Sequence, residues 1–136
     1  MRDSNCIFCK IANGEIPSTT LYEDDFVRVI LDISPASKGH ALILPKEHYA
    51  NIYEISEDCA KHVIVTAKKM AEKMKNELDL EGLNVLQNNG EIAGQTVFHY
   101  HMHLIPRYKE DGVNVSWQHG EVTEEYKEEL LKKLSL

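Results

Sequence analysis

Residues 98–106 read Phe98-His99-Tyr100-His101-Met102-His103-Leu104-Ile105-Pro106. Successive side chains of a strand leave opposite faces, so this alternation puts His99, His101 and His103 on one side and Tyr100, Met102 and Leu104 on the other. The spacing predicts one strand from Val97 to Ile105, ended by Pro106. Neighbouring imidazoles on that face start roughly 6.5 to 7 Å apart at Cα, close enough for one ligand atom to meet two rings. A lone histidine is commonly a satisfied structural residue; three in strict alternation are hard to explain as packing. Crowded imidazoles repel when protonated, so neutral rings are expected. A neutral ring is a nucleophile, a general base or a metal ligand, and the spacing alone leaves all three uses open.

Working outward, the segment Asn88 to Thr96 carries Gly90 and Gly94 beside amide and hydroxyl donors. Backbone N–H groups in such a turn can form an anion-binding concavity, which predicts a phosphate cradle directly before the histidines. Leu83 to Gln87 reads as a strand, and the loop joins it to the histidine strand as an antiparallel pair. Ser56 is the expected cap of a long helix, with Glu57 and Asp58 in its first turn. Residues 60, 63, 64, 67, 70, 71 and 74 then keep a 3.6-residue period to about Leu78. Earlier strands are expected at Thr20–Tyr22, Phe26–Leu31 and Ala41–Leu44, and a short helix within Asn5–Asn13, stopped by Gly14. Trp117 falls in an irregular stretch. Thr123 to Leu134 predicts a closing helix with Leu130, Leu131 and Leu134 on its apolar side. This order implies an α+β domain with a mainly antiparallel sheet and helices against one face.

The 136 residues show no repeat or linker, so one domain over 1–136 is expected. No apolar run approaches the roughly 18 residues of a spanning helix, and the first apolar stretch is too short for a signal core, which predicts a cytoplasmic protein. A net charge of −7 opposes general attraction to nucleic acid or anionic membrane. A phosphate must then be held locally, by backbone N–H groups, hydroxyls, amides and imidazoles, with Lys38, Lys46 and Arg107 available to add positive potential. Three cysteines without a secretory leader argue against a disulfide framework. Cys59 lies in the helical pattern as a small apolar residue. Cys6 and Cys9 form C-x-x-C, a redox or a metal motif; no βαβ pattern accompanies it, and structural zinc would need two further ligands.

The pattern at 99–105 resembles the signature of the histidine triad (HIT) family. Asp32-Ile33-Ser34-Pro35, the run Gly39 to Lys46 with His48, and Asn88 through Thr96 resemble that family in order and spacing as well. The likeness covers nearly the whole chain and points to the bacterial Hint-like branch. It implies a HIT-like fold, a five-stranded mainly antiparallel sheet with one long helix and a C-terminal helix, the sheet extended across a homodimer. It also implies a nucleotide hydrolase or transferase acting at the α-phosphate of a purine nucleoside phosphate conjugate. His101 matches the nucleophile that forms a nucleotidyl-histidine, a role suited to an uncharged nitrogen approaching an anionic phosphorus. His103 matches a phosphate-oxygen donor, and His40 the fourth histidine beside the leaving group. Asp32 matches the ribose ligand and Ile33 a contact to the base. Asn88, Gly94, Gln95 and Thr96 match the phosphate and leaving-group side. In relatives with this C-x-x-C, the partners match His48 and His99, which implies a structural zinc on Cys6, Cys9, His48 and His99, and no organic cofactor. The resemblance also implies that the region around Trp117 is where relatives differ most and where substrate choice is often shaped.

Two other readings stand beside this one. A metal-dependent hydrolase would use His99, His101 and His103 as ligands, although i, i+2 and i+4 positions on one straight strand span too far for three bonds to one ion. A low-turnover regulatory module would use the same pocket to bind nucleotide only.

Overall fold

A computed structural model describes residues 2–136 of the chain. The elements run α1 (Ile7–Ala12), β1 (Thr20–Glu23), β2 (Val27–Leu31), β3 (Ala41–Pro45), α2 (Glu57–Glu77), β4 (Gly82–Gln87), β5 (Met102–Arg107) and α3 (Glu124–Leu134). Ser56 caps α2, accepting the Cys59 N–H, and Glu57 and Asp58 sit where the helix dipole favours acids. The strands form one sheet in the order β1-β2-β3-β5-β4, antiparallel at every pair. β5 therefore lies inside the sheet, with His103 opposite Leu42 on one side and Leu86 on the other.

Alternation divides the core between two faces. Val27, Val29, Ala41, Ile43, Met102 and Leu104 pack with Val63, Ala67 and Met74 of α2. Ile30, Leu42 and Leu44 turn the other way and pack with Ala12, Phe8 and Ile11 of α1. The expectation of helices against one face is thus corrected. α1 must cover its own apolar side, and the open face, which also carries the histidines, is where the chain puts it. α3 packs on neither face: none of its residues is buried, and Leu131 and Leu134 are 69% and 68% exposed. Its seven charged residues leave a narrow apolar stripe, and it is held by its Thr123 cap and by ion pairs such as Lys133–Glu129.

The histidine strand is shorter than the pattern predicts. β5 begins at Met102, so His99 and His101 stand before the ladder. The preceding loop, with a 3-10 turn at Glu91–Ala93, keeps residues 98–101 out of pairing, and Tyr100 N–H instead donates to the Tyr49 carbonyl at 2.6 Å. The alternation survives the loss of the ladder, because Tyr100 is buried with Met102 and Leu104 while His99 and His101 meet Phe8 of α1. β5 also runs through Pro106 to Arg107. Proline is tolerated there because the last β3 partner, Ala41, lies opposite Leu104. Ser37 donates its hydroxyl to the Pro106 carbonyl. Gly39, at φ +93°, makes the turn into β3, where a Cβ would come within 2.9 Å of Leu78. Among the described residues, no helix is long and apolar enough to cross a membrane.

Candidate functional site

The rings of His99, His101 and His103 share a face but go to three different partners. His99, fully buried, turns its Nδ1 to the sulfurs of Cys6 and Cys9, each at 3.4 Å. Its Nε2–H donates to the Pro45 carbonyl at 2.8 Å. Cys9 Sγ also lies 3.4 Å from His48 Nδ1. The four side chains bring one donor atom each within 4.8 Å of one another. Zn–S and Zn–N bonds near 2.3 and 2.05 Å place sulfur and nitrogen roughly 3.5 Å apart around a tetrahedral ion, so this set fits zinc. The carbonyl on His99 Nε2–H orients that ring as outer hydrogen bonds do for metal-bound imidazoles. Without a cation, burial pushes the Cys9 thiol up to about 11, and a divalent ion is what would convert such thiols into ligands.

His101 Nδ1–H donates to the His99 carbonyl at 2.7 Å, which leaves the lone pair on Nε2. A second chain of hydrogen bonds assigns the remaining tautomers. The Ala36 N–H donates to His40 Nδ1 at 2.9 Å, so the neutral His40 carries its proton on Nε2. That proton points at His103 Nδ1, 2.9 Å away, which puts the His103 proton on Nε2. The His101 and His103 rings stand 5.0 Å apart. A ring with its lone pair on Nε2 and a ring with an Nε2–H donor are therefore neighbours on one face. Burial lowers the pKa of all four rings: His99 and His103 to about 4, with His40 and His101 shifted the same way. Uncharged imidazoles at neutral pH follow.

Asp32 lies at the mouth of this pair. Its Oδ1 accepts the Ser34 N–H at 2.8 Å, and its Oδ2 stands 3.5 Å from His40 Nε2. It thus caps its own turn with one carboxylate oxygen and faces the histidines with the other. Asp32, His40 and His103 could reach a common ion. The Ala36 N–H argues against it, because a neutral His40 with Nδ1 accepting cannot ligate through a protonated Nε2. Three histidines converging on one catalytic metal, the alternative left open above, does not match this arrangement. Ile33 is 98% exposed at the tip of the turn.

The loop before the histidines brings some of the expected residues together and turns another inward. Gly94, at φ +99°, lies so near Asn88 that a Cβ would stand 3.3 Å from the amide nitrogen, and Thr96 is exposed beside them. Gln95, expected at the phosphate, has a buried side chain whose amide oxygen and nitrogen are both engaged, as is its backbone N–H. Its Oε1 accepts from Gly90 N–H, its Nε2 donates to the Ala50 and Val97 carbonyls, and its own N–H donates to the Gly90 carbonyl. Buried backbone groups must find partners, and Gln95 satisfies them; it closes the loop. Two of the expected cations are also engaged elsewhere. Lys46 pairs with Glu23 at 2.7 Å, and Arg107 holds Asp111, Asn84 and the Val113 carbonyl; Lys38 is exposed. A cavity of about 570 Å³ lies between α2 and the β1–β2 turn, lined by Phe26, Tyr49, Cys59 and His62 among others, and takes in none of His40, His101 and His103.

One residue of the site escaped the sequence reading. Phe8, between the two cysteines, meets the His101 ring edge-on at 5.0 Å and 90°. The C-x-x-C spacing carried the signal, since its inner positions must lie beside whatever the cysteines approach.

Comparison with known proteins gives a consistent result. The sequence profile of the HIT domain matches residues 13–110. Protein hit of Bacillus subtilis (strain 168) is 49% identical over 132 residues, 96% of this chain and 90% of the relative. An adenosine 5'-monophosphoramidase of Schizosaccharomyces pombe is 45% identical over 114 residues, 83% of each. Among solved structures, a HIT family protein from Bacillus anthracis superposes with a TM-score of 0.90 at 43% identity, over 96% of this chain and 95% of that one. A histidine triad nucleotide-binding protein from Candida albicans gives 0.86 at 41%, over 96% and 94%.

Proposed function

The chain belongs to the HIT family, and from that premise we propose that it hydrolyses, or transfers from, a purine nucleoside phosphate conjugate by attack of His101 on the α-phosphorus. The observation that carries this reading is the Nδ1–H of His101 held on the His99 carbonyl. It leaves the Nε2 lone pair available for attack, on the ring next to the one that carries the N–H of His103. In the first step the Nε2–phosphorus bond forms and the bond to the leaving group breaks, the leaving group carrying off the electron pair. Positive charge that develops on the ring is stabilised through Nδ1–H by the carbonyl, and charge on the phosphate oxygens by the donor on His103. Water then attacks phosphorus and gives up a proton, the nitrogen–phosphorus bond breaks with its electron pair returning to Nε2, and the nucleoside monophosphate leaves; the proton released balances the one that the departing amine takes up from solvent. Asn88, Gly94 and Thr96 line the phosphate and leaving-group side. Relatives named adenosine 5'-monophosphoramidase in two yeasts support a phosphoramidate as the substrate class.

The direct test is a screen of adenosine and guanosine phosphoramidates against dinucleoside polyphosphates. Release of the nucleoside monophosphate from a phosphoramidate is expected. Tight nucleotide binding with no turnover of any conjugate would replace this reading with the regulatory one.

Asp32 is assigned to the ribose hydroxyls, because its Oδ2 is not engaged in capping its own turn. Asp32→Ala should weaken mononucleotide binding by roughly tenfold or more, the scale of a hydrogen bond to a charged group, and spare inorganic phosphate. Equal losses for both ligands would remove the assignment.

The activity should also have a low acid limb. Protonating His103 on Nδ1 would set two N–H groups against each other across 2.9 Å, and burial holds that ring's pKa down to about 4. Since a lowered pKa keeps the ring neutral as pH falls, kcat/KM should stay level through the ordinary imidazole range near 6.5 and decline below it. A midpoint at or above 6.5 would contradict the assignment.

Cys6, Cys9, His48 and His99 would hold zinc, which would fix the N-terminal segment to the start of the histidine segment. The setting proposed is cytoplasmic, where such thiols stay reduced. A homodimer is proposed through β4, an edge strand whose six residues (GLNVLQ) carry no charge and no proline, so nothing in it blocks pairing with a second copy. Sedimentation should show two chains per particle; a monomer at micromolar concentration would contradict it.

A further inference from the structure

We propose that metal bound by Cys6, Cys9, His48 and His99 governs the attacking orientation of His101, with Phe8 and His99 as the positioning residues; this rests on the reading of His101 as nucleophile. His101 stands outside the sheet ladder, one residue before β5 begins, so strand hydrogen bonds do not fix it. Besides the His103 ring, 5.0 Å away on the same face, two contacts take their place. The His99 carbonyl accepts the ring's Nδ1–H at 2.7 Å, and the Phe8 ring stands edge-on to it at 5.0 Å.

Both contacts come from the metal-binding set. His99 is itself one of the four, its ring 3.4 Å from both sulfurs. Phe8 lies between Cys6 and Cys9, and Cys6 is the residue that caps α1, its sulfur accepting the Cys9 N–H. A helix of six residues has no stability of its own. Beyond the packing of Phe8, Ile11 and Ala12, it is held by the cysteine–histidine cluster and by Asn13, whose amide donates to the Lys46 carbonyl. Removing the ion therefore loosens the ring wall and the carbonyl together. Asp32 and His40 are held separately, by the Ser34 and Ala36 backbone N–H groups, and stay in place. The coupling thus acts on the chemical step and not on nucleotide binding.

The test compares full-length protein loaded with zinc, stripped by a chelator under reducing conditions, and reloaded. Stripping should lower kcat for an adenosine phosphoramidate roughly tenfold or more, the scale of a small misplacement of a reacting group, with AMP affinity changed by less than about threefold and reloading restoring the rate. The His101 Nδ1–H resonance should broaden or vanish on stripping and return with zinc. That arm needs no substrate, so it stands or falls apart from the proposed activity. A stripped protein with unchanged resonance and kcat overturns the coupling, and so does a chain that takes up no zinc. If chelation unfolds the chain, Phe8→Leu decides: metal content should stay at the wild-type level while kcat falls and the resonance broadens. Full kcat with an unaltered resonance in Phe8→Leu overturns the role of that ring.

Discussion

His101→Ala should lose on the order of 10³-fold or more in kcat, while a mononucleotide still binds within a few-fold of the wild-type affinity. The groups assigned to binding do not depend on the ring. Asp32 is held by the Ser34 N–H, and His40 and His103 hold each other under the Ala36 N–H. What disappears is the imidazole whose lone pair lies on Nε2, next to the donor ring of His103. The domain should remain folded. The ring is 94% buried, at 6% relative exposure, but its one hydrogen bond is to a backbone carbonyl, and such a deletion costs about 1–3 kcal/mol. Turnover and nucleotide-binding measurements on the same preparation check both halves. A variant that keeps near-normal turnover would remove the mechanism.

Cys9→Ser should abolish metal binding and lower the unfolding temperature by on the order of 10 °C. Cys9 is 2% exposed and its sulfur reaches both His48 and His99. A serine oxygen is shorter, harder and far less easily deprotonated, so one corner of the tetrahedron is lost. An ion bound at a thousandfold excess over its dissociation constant contributes about 4 kcal/mol to stability. For a domain of this size that corresponds to a shift of roughly that many degrees. The sheet and α2 core, with Ile43, Leu104 and Val63 fully buried, should keep the chain folded at room temperature. Metal analysis with thermal unfolding checks the prediction; wild-type metal content and melting in the variant would contradict it.

The fold was legible wherever a local rule acts alone. The 3.6-residue period and Ser56 placed α2 to within a residue at its start, and the apolar runs placed β2 and β3. The extent of β5 was not legible, because whether residues 98–101 join the sheet depends on where the Tyr49 carbonyl and the cysteine cluster stand, both distant in sequence. The side of the sheet taken by α1 and the detachment of α3 are likewise tertiary outcomes that an amphipathic pattern does not encode. At the site, alternation alone put the three histidines on one face. It could not say that each ring has a different partner. That follows from two backbone groups, the His99 carbonyl and the Ala36 N–H, which leave no trace in residue identity. Gln95 shows the converse: a polar side chain beside two glycines reads as a ligand, yet the loop needs it inward.

Trapping the intermediate gives the most direct test of the account. Protein quenched in acid-free denaturant during turnover of an adenosine phosphoramidate should carry one nucleotidyl group, mapped by mass spectrometry to the peptide containing His101 and located on Nε2. The adduct should be absent from His101→Ala. A nucleotidyl group found on His40, His99 or His103 instead, or on Nδ1 of His101, would contradict the account.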